Sequence, residues 1–282
     1  MYDADFIAGC AELAMLLEVS ATPKPGNVDR THNFEDVTYE HFLASAVGVY
    51  PIFKKAASAR HPIGAMVLDA VQASTTWQKA GNCHFGAILL LIPLCVAARE
   101  SGTTSTLKAN LVSVTSCTSI EDAVKFYEAF RHMHVRVEER HDLDVNDPSS
   151  LQKIRQRKLT LQDIMKLSSS SDTIAKEWVE GFPRTFHGAE LISQYTESGF
   201  TIKESISRAF VQLLSEFPDT LIAKKFGSEI ANEVSKKAAA VMRHGDIYTL
   251  DEELVARHLN PGATADLIAA SLFIVLLGGF RY

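Results

Sequence analysis

Four turns hold the residues whose types and spacing suit chemistry. The first, Thr22–Arg30, reads TPKPGNVDR. Its two prolines set φ at positions 23 and 25, and Gly26 permits a positive φ. A rigid loop of this kind can aim backbone N–H groups at an anion. Lys24 and Arg30 add charge, and Asn27 and Asp29 add hydrogen-bonding groups. His32, Asp36 and Glu40 follow closely. So many functional groups in a short stretch favour a site over a plain helix connector.

The second turn, Gly81–Gly86, reads GNCHFG and leads into an apolar run. Backbone N–H groups at a buried helix N-terminus can meet phosphate or carboxylate, and Asn82 and His84 would share that space. An N-cap beside a satisfied core histidine explains the turn equally well. No base is spaced to activate Cys83, which reads as a packing residue. The third turn, Asn260–Asp266, reads NPGATAD and places Asp266 inside an otherwise apolar helix. A buried carboxylate must be paired, protonated or metal-bound. We favour a magnesium or substrate ligand here over a structural ion pair. The fourth, Pro218–Lys225, has an earlier counterpart in Ser171–Thr173. Capping is the stronger reading of Asp172 and Asp219. Asp219 with Lys224 or Lys225 could instead reach a nucleotide. His132 and His134 stand near His141, Asp142 and Asp144, but an isolated HxH reads as a solvated loop rather than a metal site.

The elements that must position these turns read as helix after helix. Apolar residues recur at helical steps over Ala4–Val19, and further helices are expected over Tyr39–Ala59, Pro62–Lys79, a stretch capped by Asn82 and running to Arg99, and Ser119–Arg131. Pro51 should kink or split the second of them. Helices resume over Leu161–Glu180, Thr185–Ser198, Thr201–Glu216, Gly227–Arg243, Leu250–His258 and Ala263–Leu277. Thr104–Ser116 is the only, weak, strand candidate. His132–Lys158 is expected to be a charged, irregular connection, a candidate lid. The expectation is one all-α domain of about a dozen helices spanning residues 1–282.

The chain has 282 residues, 46% of them apolar and 22% charged, which excludes a disordered chain, a collagen and a coiled-coil rod. A net charge of −6 disfavours nucleic-acid and anionic-membrane partners, so an anionic ligand needs a metal or a few placed cations. The four cysteines form no CxxC pair and the first residues lack a basic n-region, so a cytoplasmic location is expected. The apolar runs Phe85–Ala98 and Leu267–Phe280 fall short of the ~18–20 residues of a membrane span and read as buried helices.

In this order, the turns resemble the family of triphosphoribosyl-dephospho-coenzyme A synthases. The likeness rests on Pro23–Asp29 with His32, Asp36 and Phe42–Ala46, on Asn82, His84 and Gly86, on Asp219 to Lys224, and on Pro261–Ala269. It covers nearly the whole chain. It implies an all-helical transferase that joins ATP to a hydroxyl of 3′-dephospho-coenzyme A, or of another coenzyme precursor, with release of adenine. It also implies Mg²⁺ accompanying ATP. Under this resemblance Lys24, Arg30 and the loop of Pro25, Gly26 and Asn27 hold phosphates. Asp29, Asp36 and Asp266 are candidates for metal and for base, unresolved among themselves. His84 is a candidate phosphate contact or adenine-side proton donor. His32, Asn82, Asp219, Lys224 and Gly262 complete the expected nucleotide site. Phe85 replaces a frequent lysine, and His132–Arg136 lies where a glycine-rich turn is expected. The pattern is closer to archaeal-type members and leaves the acceptor open. A nucleotide hydrolase using water and a non-catalytic nucleotide-binding protein are the alternatives. A homo-oligomer is also left open.

Overall fold

The computed structural model describes residues 2–58, 62–81, 83–133, 143–145 and 147–282. Among them lie fifteen α-helices and no strand. In order they are α1 Ala4–Ser20, α2 Tyr39–Ser58, α3 Ile63–Ser74, α4 Phe85–Arg99, α5 Thr104–Ser116, α6 Ile120–Met133, α7 Ser149–Arg157 and α8 Leu161–Ser168. There follow α9 Thr173–Glu180, α10 Pro183–Glu197, α11 Ile202–Glu216, α12 Thr220–Phe226, α13 Ser228–His244, α14 Ile247–Ala256 and α15 Gly262–Leu277.

Two of these helices are apolar all round, α4 and α15, and burial explains why. Every residue of α4 from Ala87 to Ala98 is buried, as is every residue of α15 from Leu267 to Leu277. A helix without a polar face needs neighbours on all sides. Accordingly α15 packs against α1, α4, α10 and α11, while α4 packs against α2, α3, α5 and α15. The remaining helices are amphipathic and turn one stripe inward. One continuous apolar core joins them. No helix among the described residues is long and apolar enough to cross a membrane.

Several expectations need correction. Thr104–Ser116 is helical, because a capping box at Thr103 and Thr106 starts the helix there and Leu107 and Leu111 provide its buried stripe. The stretch Leu161–Glu180 is two helices, because Asp172 N-caps α9 and interrupts the run. The connection at 132–158 is shorter than expected. The helix α6 reaches Met133 and α7 takes up Ser149–Arg157. His134, His141 and Asp142 lie outside the described residues. Pro51 sits inside α2, which continues through it. His84 occupies the N-cap position of α4 in place of the expected Asn82, which is also outside the described residues.

Close helix approach depends on small residues. The Gly64 N–H at the start of α3 donates to Asp122 Oδ1 of α6 at 2.8 Å. A methyl group there would lie 2.1 Å from the Asp122 carbonyl oxygen. Alanine raises helix propensity by up to ~1 kcal/mol. Gly64→Ala is nonetheless expected to destabilise the chain by about 1–3 kcal/mol, because α3 and α6 must separate. The check is the urea midpoint, and an unchanged or higher midpoint contradicts this packing.

Candidate active site

The N-terminal ends of α4 and α15 open into one cavity of about 1370 Å³. The end of α1, the 21–38 loop, and residues of α2, α6, α8, α9 and α12 complete its wall. Phe85, Phe126 and Phe130 make part of that wall aromatic, with ring centroids 4.5 Å apart for Phe85–Phe130 and 4.8 Å for Phe126–Phe130. Lys79, Lys224 and Lys225 add positive charge to the lining.

The proline–glycine loop is held from within. Asp29, fully buried, accepts the N–H of Thr31 at 2.7 Å, the N–H of His32 at 3.1 Å and the Thr31 hydroxyl at 2.7 Å through Oδ1. Its Oδ2 accepts the Lys24 N–H at 3.3 Å. Gly26 adopts φ +74°, and its N–H donates to Asp251 Oδ1 at 3.0 Å. A Cβ at Gly26 would stand 2.1 Å from the Leu259 carbonyl oxygen, so only glycine fits. His32 Nδ1 lies 3.2 Å from Asp251 Oδ2. The Lys24 side chain is fully buried, with its ammonium on Glu18 and on the Val28 carbonyl at 3.2 Å.

The loop therefore turns much of its charge toward the protein. Asn27 is buried and lines the cavity, and Asp36 lines it from an exposed position. Arg30 is exposed and, like Lys24, Pro25, Gly26, Asp29 and His32, is not part of the lining.

At the helix ends, Asp266 Oδ1 accepts the Ala87 N–H at 2.9 Å. The first turn of α4 thus receives a carboxyl group where its free N–H groups favour one. Gly86 makes this approach possible, since a Cβ there would lie 2.1 Å from Asp266 Oδ2. Burial first, and then the nearby Glu18 charge, push Asp266 well above the usual carboxylate range. Burial likewise raises Glu18, although Lys24 opposes the rise. Glu18 lines the cavity with Asp266.

His84 also lines the cavity. Its Nδ1 is 3.0 Å from the Ser45 hydroxyl oxygen, and its ring packs edge-on against Phe42 at 4.8 Å. Burial, aided by Lys24, pushes His84 down to about 3. At neutral pH it is therefore an uncharged imidazole and no proton donor by imidazolium chemistry. Burial pushes the Cys83 thiol up to about 12, in keeping with a packing role.

Asp219 lies outside the cavity wall. It caps α12 through the N–H groups of Leu221 and Ile222 at 2.8 and 3.1 Å, and accepts the Thr264 N–H at 2.8 Å and the Thr264 hydroxyl at 2.9 Å. It thereby joins the start of α12 to the start of α15. Lys224 lines the cavity but is paired with Asp172. Gly262 lines it too, and a side chain there would meet Leu221 at 2.6 Å. Among the described residues no three His, Cys, Asp or Glu side chains converge as a metal-ligand set.

Sequence reasoning missed Glu18 and Asp251. Glu18 falls on the buried stripe of α1 at the i, i+4, i+7, i+11 positions Ile7, Ala11, Ala14 and Glu18. A charged residue in register with an apolar face was the available signal. Asp251 carried none, because its partner Gly26 is 225 residues away.

The family model of ATP:dephospho-CoA triphosphoribosyl transferase matches residues 4–281. The chain belongs to this family. A Pectobacterium atrosepticum protein named 2-(5″-triphosphoribosyl)-3′-dephosphocoenzyme-A synthase is 23% identical, over 91% of this chain and 84% of that protein. The crystal structure of a candidate triphosphoribosyl-dephospho-CoA synthase from Archaeoglobus fulgidus is 31% identical. It superposes with a TM-score of 0.72 over 85% of this chain and all of the other. Membership in this transferase family covers all the elements that build the cavity.

The depressed His84 value has a consequence for stability. Its ordinary value is 6.5, so below that pH the unfolded chain binds a proton that the folded chain refuses. The stabilisation it brings is complete above 6.5 and is lost as pH falls toward about 3. From about pH 7 to about pH 5 this group alone removes about 2 kcal/mol. Chemical denaturation at the two pH values should show His84→Gln losing less stability over that range than the parent chain. Equal losses contradict the assignment.

Proposed function

We propose that this chain is an ATP-dependent triphosphoribosyl transferase whose reaction takes place at Asp266. The observation that carries this reading is the buried Asp266 carboxyl, set on the first turn of α4 inside a cavity of about 1370 Å³. A single drug-sized ligand fills roughly 300–1,000 Å³. The space therefore suits ATP together with part of a second substrate.

In the reaction a hydroxyl of the acceptor attacks C1 of the ATP ribose. The new C–O bond forms, the C1–N9 bond breaks, and its electron pair leaves with adenine, which takes a proton from solvent. The transition state is oxocarbenium-like, as in glycoside chemistry, where placed carboxylates do the work. Asp266 takes the hydroxyl proton. Burial and the Glu18 charge beside it both raise its pKa, which favours proton uptake. Lys79, Lys224 and Lys225 face the cavity where a triphosphate would need cations. The acceptor is a coenzyme precursor, 3′-dephospho-coenzyme A in the relatives' reaction.

Magnesium takes hard oxygen ligands, and one or two carboxylates suffice when phosphates supply the rest. The Asp36 carboxylate is exposed on the cavity wall and fits that part. Asp29 does not fit as well, because four donors of its own loop already occupy its oxygens. When bound, the ion would neutralise charge on the triphosphate.

Adenine release from ATP in the presence of an acceptor tests the reading. Asp266→Asn should reduce the rate about 10²–10⁴-fold, the usual contribution of a general base. Gly86→Ala leaves the carboxyl in the chain but displaces it, and should lower the rate of the folded variant about tenfold or more. Full activity in both folded variants rejects Asp266 as the base. Asp36→Asn should raise the magnesium concentration needed for half-maximal rate severalfold, with the rate recovering at saturating metal. An unaltered magnesium dependence removes Asp36 from the metal site.

A further inference from the structure

The buried edge of α2 carries a hydroxyl within the Phe42–Ala46 stretch. Ser45 is fully buried, and its Oγ lies 3.0 Å from His84 Nδ1. Two buried serines nearby hydrogen-bond a helix carbonyl, Ser74 to Val71 at 2.7 Å and Ser101, just past α4, to Ala97 at 2.7 Å. Among the described residues the Ser45 hydroxyl has only His84 as a partner. Among the described residues the other imidazole nitrogen, Nε2, is buried without a partner.

Counting hydrogens decides how the pair is protonated. A neutral imidazole has one N–H and one bare nitrogen. If Nδ1 carried the hydrogen and donated to Ser45, the serine proton would be buried without an acceptor, and Nε2 would be a bare lone pair without a donor. If Ser45 donates to Nδ1, the serine is satisfied and only one N–H, on Nε2, is left without a partner. Buried polar groups are rarely left unpaired, so the second arrangement prevails. Leaving that one N–H unmet is unfavourable, and a ligand atom can recover the loss.

We propose that Ser45 is a positioning residue that fixes His84 as the Nε2–H tautomer, so that the imidazole offers an uncharged donor to a lone-pair atom of the nucleotide. The inference rests on reading this cavity as the ATP site. The lone pair belongs either to a phosphate oxygen or to a ring nitrogen of adenine, and both accept such a bond. The role differs from that of the lysines, since His84 brings direction without charge. It also differs from acid catalysis, because the hydrogen stays on Nε2.

The test is ¹⁵N NMR of the full chain labelled at histidine, with the His84 signal identified by its absence in His84→Gln. The expected signature in the free chain is the Nε2–H tautomer. Addition of ATP should shift the Nε2 resonance. Tripolyphosphate alone reproduces the shift if a phosphate oxygen is the acceptor, and adenine alone does so if a ring nitrogen is. Ser45→Ala should give a mixture of tautomers and weaken ATP binding about 5–10-fold by calorimetry, and Ser45→Thr should restore both. An Nδ1–H tautomer in the free parent chain overturns the proposal, whatever ATP does. An unmoved Nε2 signal in a chain that calorimetry shows saturated with ATP also overturns it. Calorimetry without ATP binding instead rejects the nucleotide reading, and the free-chain tautomer still decides the part played by Ser45.

Discussion

One hydrogen bond, from the Ala87 N–H to Asp266, links the two helices on which the cavity depends. The apolar bodies of α4 and α15 are pressed together by the hydrophobic effect, which has no direction of its own. Their polar ends supply the direction. A carboxyl group of α15 lies on the first turn of α4, where free N–H groups and the helix dipole welcome it. The bond needs Gly86, because any side chain there would collide with the carboxyl. Desolvation opposes the charged form of Asp266, and the single backbone donor recovers only part of that loss. Asp219, by contrast, caps α12 and the start of α15 with both oxygens.

The same contrast divides the charged residues of the proline–glycine loop. Lys24 has the residue type of a phosphate ligand, yet its ammonium is buried on Glu18. Breaking such a pair leaves an uncompensated charge in the interior, which is far more costly than the net worth of the pair. Lys24 thus stabilises a negative charge at the cavity wall instead of reaching across the cavity. Asp29 and Asp251 hold the loop backbone in place, and Gly26 allows the chain to run against Leu259. Asn27 and Asp36 are left to face the interior of the site.

How far this could be read in advance differs between fold and site. Helical period and caps revealed the longer helices but not the short α7 and α12, and the two apolar runs were legible as buried helices because no amphipathic stripe could be drawn on them. Thr104–Ser116 was misread, since its serines and threonines have weak helix preference and the decisive capping box at Thr103 is local hydrogen bonding rather than pattern. The turns at 81–86 and 260–266 were recognisable as site material from their glycines and from Asp266. What no spacing reveals is where a side chain's partner comes from. Lys24 could have faced either way until Glu18 was placed beside it. Ser45 looked like any small residue on a helix face until His84 was set against it.

The overall charge of −6 now has a local meaning. It excludes a diffuse basic surface but not a polyanionic small molecule. The cavity wall combines Lys79, Lys224 and Lys225 with the acidic side chains of Glu18, Asp36, Asp144, Asp172 and Asp266. Acidic groups repel a triphosphate unless cations stand between them, so the sign of the field must change along the wall. Glu18 is held by Lys24, and burial disfavours charge on Asp266. Asp36 is an exposed carboxylate of the wall. The carboxylates of the wall are matched differently: Glu18 meets the Lys24 ammonium, Asp172 meets Lys224, and Asp266 meets the Ala87 N–H.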